Sequence, residues 1–232
     1  MPADTAPPDL SWARLIIFDF DGTLADSAAF MFGLFGELAR KHGLRQVSDA
    51  EIAMLRGRSN REVLAYLRCP LWKLPGIARD ARRMGAAGAD RIRLFDGVPE
   101  LFSALAARGA KVAIVSSNAE ATIRRILGPV LAGQVAAYAC GASLFGKAAK
   151  FREVVERCGV APAETLCVGD EVRDIDAARD AGLACAAVTW GYATAEVLEA
   201  HRPDVTFDAV SALTAALSAS AFPGSHRDGR EP

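Results

Sequence analysis

The chain has 232 residues, of which 51% are apolar and 24% charged, a composition typical of a soluble globular protein of one or two domains. Its 27 basic and 28 acidic residues give a formal net charge of −1, which leaves no broad basic field for nucleic acid. The N-terminus lacks the basic start and apolar run of a signal peptide, and no stretch of about 18 uncharged apolar residues follows, so we expect neither export nor a membrane span.

Short β-rich apolar runs alternate with helical patterns along much of the chain, and a Gly, Asp, Ser or Thr follows the clearest of them. These runs predict four strands at residues 15–18, 111–115, 165–168 and 184–188, and weaker runs predict two more at 135–139 and 205–207. Strands that alternate with helices form parallel sheets. The predicted fold class is therefore α/β, with a doubly wound, Rossmann-like parallel sheet.

Between residues 27 and 95 the alternation of strand and helix patterns is replaced by helix signals without a convincing strand. The pairs Ser48/Glu51 and Ser59/Glu62 have the spacing of a capping box and predict helices at 50–55 and 60–67. A proline-containing break at 69–76 precedes a last helix. We therefore predict an inserted α-helical cap domain at residues 27–95, within a core domain formed by residues 1–26 and 96–217.

The residues after the insert and the two chain ends can also be assigned from their sequence patterns. The Asp-Gly pair at 96–97 marks the return to the core, and a helix is predicted at 99–107 with proline in its first turn. Residues 1–8 are expected to fray, and residues 218–232 to form a disordered tail, because they are small, polar and contain proline. Five cysteines without a Cys-x-x-Cys pair favour a reduced, cytoplasmic protein.

The carboxylates of Asp19 and Asp21 end the first predicted strand, one residue apart. The strand period places both on one side, at the carboxyl edge where ligands of open α/β sheets bind. Because two close carboxylates repel without a cation or a proton between them, and oxygen-only sites suit Mg²⁺, this pair predicts a magnesium site. Gly22 and Thr23 would offer backbone N–H groups to an anion. The alternative is an ordinary turn in which both acids cap the next helix.

Two further predicted strands end in polar residues at the same edge of the sheet. These residues are Ser116, Ser117 and Asn118 after the strand at 111–115, and Asp170, Glu171 and Asp174 after the strand at 165–168. Taken alone, a Ser-Ser-Asn cluster is also an ordinary helix N-cap. Between these strands, Lys147 follows a glycine and is favoured as an inward-pointing cation, whereas Lys150 has the pattern of a helix surface.

In chain order these motifs resemble the haloacid dehalogenase superfamily: DFDGTL at 19–24, VSSN at 115–118, GK at 146–147 and GDEVRD at 169–174. The resemblance covers residues 12–190, and the helical insert after the first motif is similar to the phosphoglycolate-phosphatase-like subfamily with a helical cap. It implies that Asp19 is a nucleophile forming an aspartyl-phosphate, and that Asp21 is the general acid and base.

The resemblance also implies that Ser116 and Lys147 hold phosphoryl oxygens. The implied metal-site residues are Asp19, Asp21 through its backbone carbonyl, Asp170 and Asp174. Two departures from the family pattern stand out. Glu171 occupies a position where Ser or Thr is common, and the segment from Lys147 to Asp170 is slightly short, which leaves the choice between Lys147 and Lys150 open.

Substrate selection in this family depends on the cap. We expect six substrate-binding residues: Gly22, Thr23, Ser117, Asn118, Arg56 and Arg58. The two arginines would suit a carboxylate or second phosphate, although a solvated helix end explains them equally well. Trp190 and Tyr192 either line the crevice edge or pack as ordinary aromatic residues.

We predict a Mg²⁺-dependent phosphomonoester hydrolase acting on a small phosphorylated metabolite of the phosphoglycolate type. We expect a cytoplasmic monomer or homodimer with no nucleic-acid or membrane partner. The resemblance implies that Asp21 favours a phosphatase or phosphomutase, because dehalogenases and phosphonatases of the superfamily lack it. Two alternatives stay open: a sugar phosphomutase of the same superfamily, and a non-catalytic protein that binds a phosphometabolite or another protein.

Overall fold

A computed structural model describes residues 8–55, 58, 60–141 and 146–218. Its centre is a six-stranded parallel sheet formed by β1 (Leu15–Phe18), β4 (Lys111–Val115), β5 (Val135–Ala139), β6 (Thr165–Gly169), β7 (Ala184–Val188) and β8 (Val205–Phe207). The strand order in this sheet is β5-β4-β1-β6-β7-β8. Two short strands, β2 (Ala25–Asp26) and β3 (Arg93–Leu94), form a separate antiparallel pair. The six predicted strands are confirmed, with β6 one residue longer than expected.

Helices cover both faces of this sheet. In chain order the α-helices are α1 (Ala28–His42), α2 (Asp49–Leu55), α3 (Asn60–Tyr66), α4 (Leu74–Ala87), α5 (Val98–Ala107), α6 (Glu120–Gln134), α7 (Lys147–Cys158), α8 (Val172–Ala181), α9 (Ala195–Ala200) and α10 (Val210–Ser218). Ile16 and Phe18 of β1 pack in one core with residues of α5, α6 and α10, whereas Leu15 and Ile17 pack in a second core with residues of α7, α8 and α9. The doubly wound fold class is therefore confirmed.

Strand β1 lies between β4 and β6, at the point where the winding of the sheet changes direction and where open α/β sheets bind ligands. It pairs with β4 on one side and β6 on the other, and all four of its residues are fully buried. The chain winds in opposite directions from this strand, which opens a crevice beyond its carboxyl end. The residues after β1, β4 and β6 therefore meet at one place.

Helices α1 to α4 lie between β2 and β3 in the chain. The β2–β3 pair was not expected, because each strand has two residues and forms only by pairing across the whole insert. The Ser48/Glu51 capping box is confirmed, with Ser48 N–H donating to Glu51 Oε2 at 2.8 Å and Glu51 N–H to Ser48 Oγ at 3.3 Å. The box predicted at Ser59 falls outside the described residues.

Helix α10 ends at Ser218, and the rest of the predicted tail, residues 219–232, lies outside the described part of the chain. Within the described ranges, no helix is long and apolar enough to cross a bilayer. The five cysteines are all unpaired thiols.

Candidate active site

Asp19 directly follows β1 and is only 2% exposed. Its backbone N–H donates to Val168 O at 2.9 Å, which continues the β1–β6 pairing and fixes the carboxylate at the sheet edge. Lys147 Nζ lies 3.1 Å from Oδ1, yet neither carboxylate oxygen has a hydrogen-bond partner of good geometry among the described residues. An unsatisfied buried carboxylate is costly, so its persistence points to a ligand or a reaction at this position.

Asp21 lies two residues further on, with the fully buried side chain of Phe20 between the two acids. Asn118 Nδ2 donates to Asp21 Oδ2 at 3.2 Å, while Oδ1 has no partner among the described residues. Burial and then the negative charge of Asp19 raise the pKa of Asp21 to about 6. Asp21 is therefore suited to give and take a proton near neutral pH.

The Asp170 carboxylate, at the end of β6, is held in a tight cradle. Thr23 Oγ1 donates to Oδ1 at 2.7 Å, and the Tyr192 N–H donates to Oδ2 at 2.8 Å. A side chain at Gly22 or Gly191 would overlap this carboxylate. Burial, followed by the charges of neighbouring acids, raises the pKa of Asp170 well above its usual value.

Asp174 and Lys147 form a buried ion pair with a Nζ–Oδ1 distance of 2.5 Å. The second Asp174 oxygen accepts the Glu171 N–H at 3.1 Å, in a capping box that begins α8. Although burial favours a neutral amine, the charges of Asp174 and Asp19 raise the pKa of Lys147. Lys150 instead pairs with Glu153 on the exposed side of α7, so Lys147 is the lysine at the site.

The Glu171–Arg173 pair was missed by sequence reasoning. Arg173 Nη2 lies 2.7 Å from Glu171 Oε1 and 3.8 Å from Asp19 Oδ2. Burial disfavours the charged forms of both side chains, but the negative charges of Glu171 and Asp19 raise the pKa of Arg173. Arg173 therefore places a second cation, besides Lys147, near the Asp19 carboxylate. Only the departure of Glu171 from the family pattern signalled that this position was unusual.

Other predicted residues are distributed around these acids. Ser116 is buried and its Oγ accepts the Asn118 N–H at 3.1 Å, while Ser117 lines the cavity above the carboxylates. The Gly22 and Thr23 N–H groups, expected to face an anion, instead donate to Ala25 O and Phe20 O within the turn.

The predicted cap and crevice-edge residues have different surroundings. Arg58 lines the cavity and pairs with Glu62 at 3.3 Å, and Arg56 lies outside the described residues. Tyr192 also lines the cavity, whereas Trp190 Nε1 donates to Thr23 O at 3.0 Å and its ring packs against Phe95.

The acids have the chemistry of a divalent-cation site. Oxygens of Asp19, Asp170 and Asp174 lie within 4.8 Å of one another, and the donor set contains only oxygen. Around them the described residues supply an excess of acids over cations: Asp19, Asp21, Asp170, Glu171 and Asp174 against Lys147 and Arg173. This set fits Mg²⁺, which prefers a few carboxylates and offsets their repulsion. The Asp21 side chain is not in this cluster.

Comparison with known proteins is consistent with this geometry. A family model described as haloacid dehalogenase-like hydrolase matches residues 16–188. A phosphoglycolate phosphatase from Synechococcus elongatus is 31% identical over 206 residues, covering 88% of this chain and 97% of that protein. A tyrosine-protein kinase, PtkA of Mycobacterium tuberculosis, is 30% identical over 191 residues, covering 80% of this chain and 65% of that protein.

Among solved structures, a haloacid dehalogenase-like hydrolase from Streptococcus pneumoniae has a TM-score of 0.73 and covers 88% of this chain and 98% of its own. At 20% identity this likeness concerns the fold alone. The family model, however, spans residues 16–188, which include β4 to β7, most of β1 and the acidic strand ends described above. The chain therefore belongs to the haloacid dehalogenase-like hydrolases.

Proposed function

We propose that the protein is a Mg²⁺-dependent phosphomonoester hydrolase that works through an aspartyl-phosphate on Asp19. The observation that carries this proposal is the environment of Asp19, a buried carboxylate without a hydrogen-bond partner of good geometry among the described residues. Its Oδ1 lies 3.1 Å from Lys147 Nζ, and its negative charge raises the pKa of Asp21. A carboxylate with a free oxygen and an adjacent acid is the arrangement that nucleophilic attack on phosphorus needs.

In the first step, an Asp19 oxygen forms a bond to phosphorus as the bond from phosphorus to the leaving alcohol oxygen breaks. Asp21, in its protonated form, gives its proton to that oxygen. In the second step, Asp21 takes a proton from a water whose oxygen attacks phosphorus, and the bond to Asp19 breaks. Inorganic phosphate leaves, with Asp19 again a carboxylate and Asp21 again protonated.

The surrounding residues of the chain hold the phosphoryl group. Lys147, already beside Asp19, and the buried hydroxyl of Ser116 would contact its oxygens, while Arg173 faces the same carboxylate. Asp19, Asp170, Asp174 and the Asp21 backbone carbonyl would hold Mg²⁺, which when bound withdraws charge from the phosphoryl oxygens.

The helical insert supplies the other side of the site. We assign residues 27–95 to a cap and residues 1–26 and 96–217 to the core, because cavity-lining side chains come from α1 to α3 on one side and from the strand ends on the other. The name of the Synechococcus relative makes a phosphoglycolate-type metabolite the first substrate to test. Five unpaired thiols favour a cytoplasmic location. The proposed reaction needs no residue from a second chain, so it is compatible with a monomer or a homodimer.

The test is release of inorganic phosphate by the full chain from a panel of phosphomonoesters that begins with 2-phosphoglycolate. We expect release with Mg²⁺, loss of release with EDTA, and recovery when excess Mg²⁺ is restored. Transfer of phosphate between positions of a sugar phosphate, dependent on a bisphosphate and without net release, would instead identify a phosphomutase. Binding of phosphorylated metabolites without any turnover would identify a non-catalytic protein.

A further inference from the structure

A cavity of about 430 Å³ lies between the acidic strand ends and the helical insert. Its floor contains Asp21, Ser117, Glu171 and Arg173, so it opens directly onto the proposed nucleophile's surroundings. The rest of its described lining comes from the first three helices of the insert and Arg58, and from Val172, Asp176, Tyr192 and Ala193 of the core. The insert side chains on this wall are Met31, Phe32, Phe35, Leu38, Ile52, Leu55, Arg58 and Val63.

The size of this cavity exceeds what a glycolate leaving group needs. A cavity of about 150 Å³ is enough to hold a benzene ring. The glycolate part of phosphoglycolate has only about five non-hydrogen atoms, fewer than benzene. A leaving group of one or two rings fills the space better, and 300–1,000 Å³ is the usual range for sites that enclose such molecules.

The chemistry of the wall also disfavours a carboxylate on the leaving group. Seven of the eight insert side chains named above are apolar, and Phe32 packs edge to face against Tyr192, which lines the same space. Among the described lining residues, Arg58 is paired with Glu62 and Arg173 with Glu171. Asp21, Glu171 and Asp176 contribute three acids against these two arginines. Within the described part of this lining, an anionic group would therefore lose its hydration and meet only arginines that already face a carboxylate.

We propose that the preferred substrate is a phosphomonoester of an alcohol with an apolar body the size of one or two rings. This inference rests on the proposed phosphatase function. The apolar body packs against Phe32, Phe35 and Ile52, while the phosphoryl group reaches Asp19 past the polar floor. Such a body gains affinity by leaving water, and its burial closes the crevice above the reacting phosphorus.

The experiment compares kcat/KM for three primary alkyl phosphates: ethyl phosphate, 2-phosphoglycolate and 3-phenylpropyl phosphate. Because their leaving oxygens are all primary alkoxides, differences report the cavity more than intrinsic reactivity. One added methylene in an apolar pocket changes kcat/KM by about 10- to 200-fold. We therefore expect kcat/KM for 3-phenylpropyl phosphate to exceed both other values by at least about tenfold.

Two variants assign this preference to the cavity. Phe35→Ala and, independently, Ile52→Ala should each lower the ratio of kcat/KM for 3-phenylpropyl phosphate to that for ethyl phosphate by about fivefold or more. Met54→Ala is the matched control, since this side chain is 49% exposed on α2 and is not among the lining residues. The control should retain the parent's ratio.

The outcomes separate the inference from the function on which it rests. A kcat/KM for 2-phosphoglycolate about tenfold above that for 3-phenylpropyl phosphate, with turnover dependent on Asp19, would overturn the inference and leave the phosphatase intact. An unchanged ratio in both cavity variants would overturn the assignment to this cavity. No turnover of any ester with Mg²⁺ would contradict the phosphatase function, and the substrate class with it.

Discussion

At the scale of single residues, Asp21 shows most directly how the surroundings of a side chain determine its chemistry. Burial and the neighbouring charge of Asp19 raise its pKa to about 6, and Asn118 fixes one of its oxygens. A carboxyl group with this pKa is protonated in a useful fraction of molecules near neutral pH. An exposed aspartate, with a pKa of about 3.9, is almost entirely ionised there.

The first prediction concerns this proton. Asp21→Asn should lower kcat for an alkyl phosphate by about 10²- to 10⁴-fold, because the alkoxide must then leave without its proton. p-Nitrophenolate is a far weaker base, so the first step with p-nitrophenyl phosphate is less affected. A rapid burst of p-nitrophenol should precede slow turnover in a stopped-flow measurement. Alkyl phosphate turnover within a few-fold of the parent would contradict the role of Asp21.

The second prediction concerns the cradle of Asp170. A methyl group at position 191 would overlap the Asp170 carboxylate, so Gly191→Ala should raise the Mg²⁺ concentration that gives half-maximal activity by about 10- to 100-fold. Gly133→Ala is the matched control, since an added methyl there meets nothing within 4 Å. A Mg²⁺ titration of activity compares the two variants. The same half-maximal concentration in both would show that this cradle does not position a metal ligand.

At the scale of elements, the strands could be predicted almost residue by residue, because each is an apolar run bounded by turn residues. The β2–β3 pair could not, since two-residue strands carry no periodicity and depend on a partner far along the chain. Helix α6 is interrupted at Gly128, where φ is 73° and ψ is 168°, ahead of Pro129. Proline disfavours helix in the residue before it, which accounts for the break.

Part of the candidate site could likewise be predicted from the sequence. Acids and hydroxyls at strand ends could be recognised from residue type, because a parallel sheet gathers its carboxyl ends at one edge. Lys147, at the start of α7, could be recognised from the glycine before it and the helical pattern after it. The contact of Asn118 with Asp21 depends on how separate elements meet, and the pairing of Glu171 with Arg173 depends on the side-chain conformations at the start of α8. Neither distance is encoded in the spacing of the residues along the chain.

The third prediction concerns the packing of α1 on α4. The buried Asp80 carboxylate contacts Lys41 at 2.8 Å, His42 at 2.9 Å and Arg83 at 3.2 Å. The hydrogen bond from Lys41, supported by His42, holds the pKa of Asp80 below its ordinary value. A carboxyl group whose pKa is lower in the folded state stabilises the fold above its unfolded pKa, about 3.9, and loses this effect as the pH falls through the lower, folded value.

The difference in unfolding free energy between the parent and Asp80→Asn should therefore be largest near pH 7 and shrink below about pH 4. Chemical denaturation across this pH range measures it. Asp90→Asn, which removes an acid with a 71% exposed side chain, is the control and should change the unfolding free energy little at any pH. An Asp80→Asn difference that is the same at pH 7 and at pH 3 would contradict this account.

At the scale of the whole molecule, we propose that the core sheet and the helical insert have different roles, catalysis for the core and substrate selection for the insert. The core sheet brings together the groups that would act on phosphorus, while helices of the insert supply most of the apolar wall facing them. The insert leaves and rejoins the core through β2 and β3, which lie side by side. This cavity wall could not be read from the sequence, because its residues look like the apolar face of any amphipathic helix.

The nucleophilic role of Asp19 is tested most simply by release of p-nitrophenol from p-nitrophenyl phosphate. The parent, Asp19→Asn and Asp26→Asn are compared, each with Mg²⁺ and with EDTA. Asp26 is an exposed acid seven residues beyond the proposed nucleophile and serves as the matched control. We expect Mg²⁺-dependent turnover in the parent and in Asp26→Asn, and loss of turnover in Asp19→Asn. Turnover by Asp19→Asn equal to that of the parent would contradict an aspartyl-phosphate on Asp19.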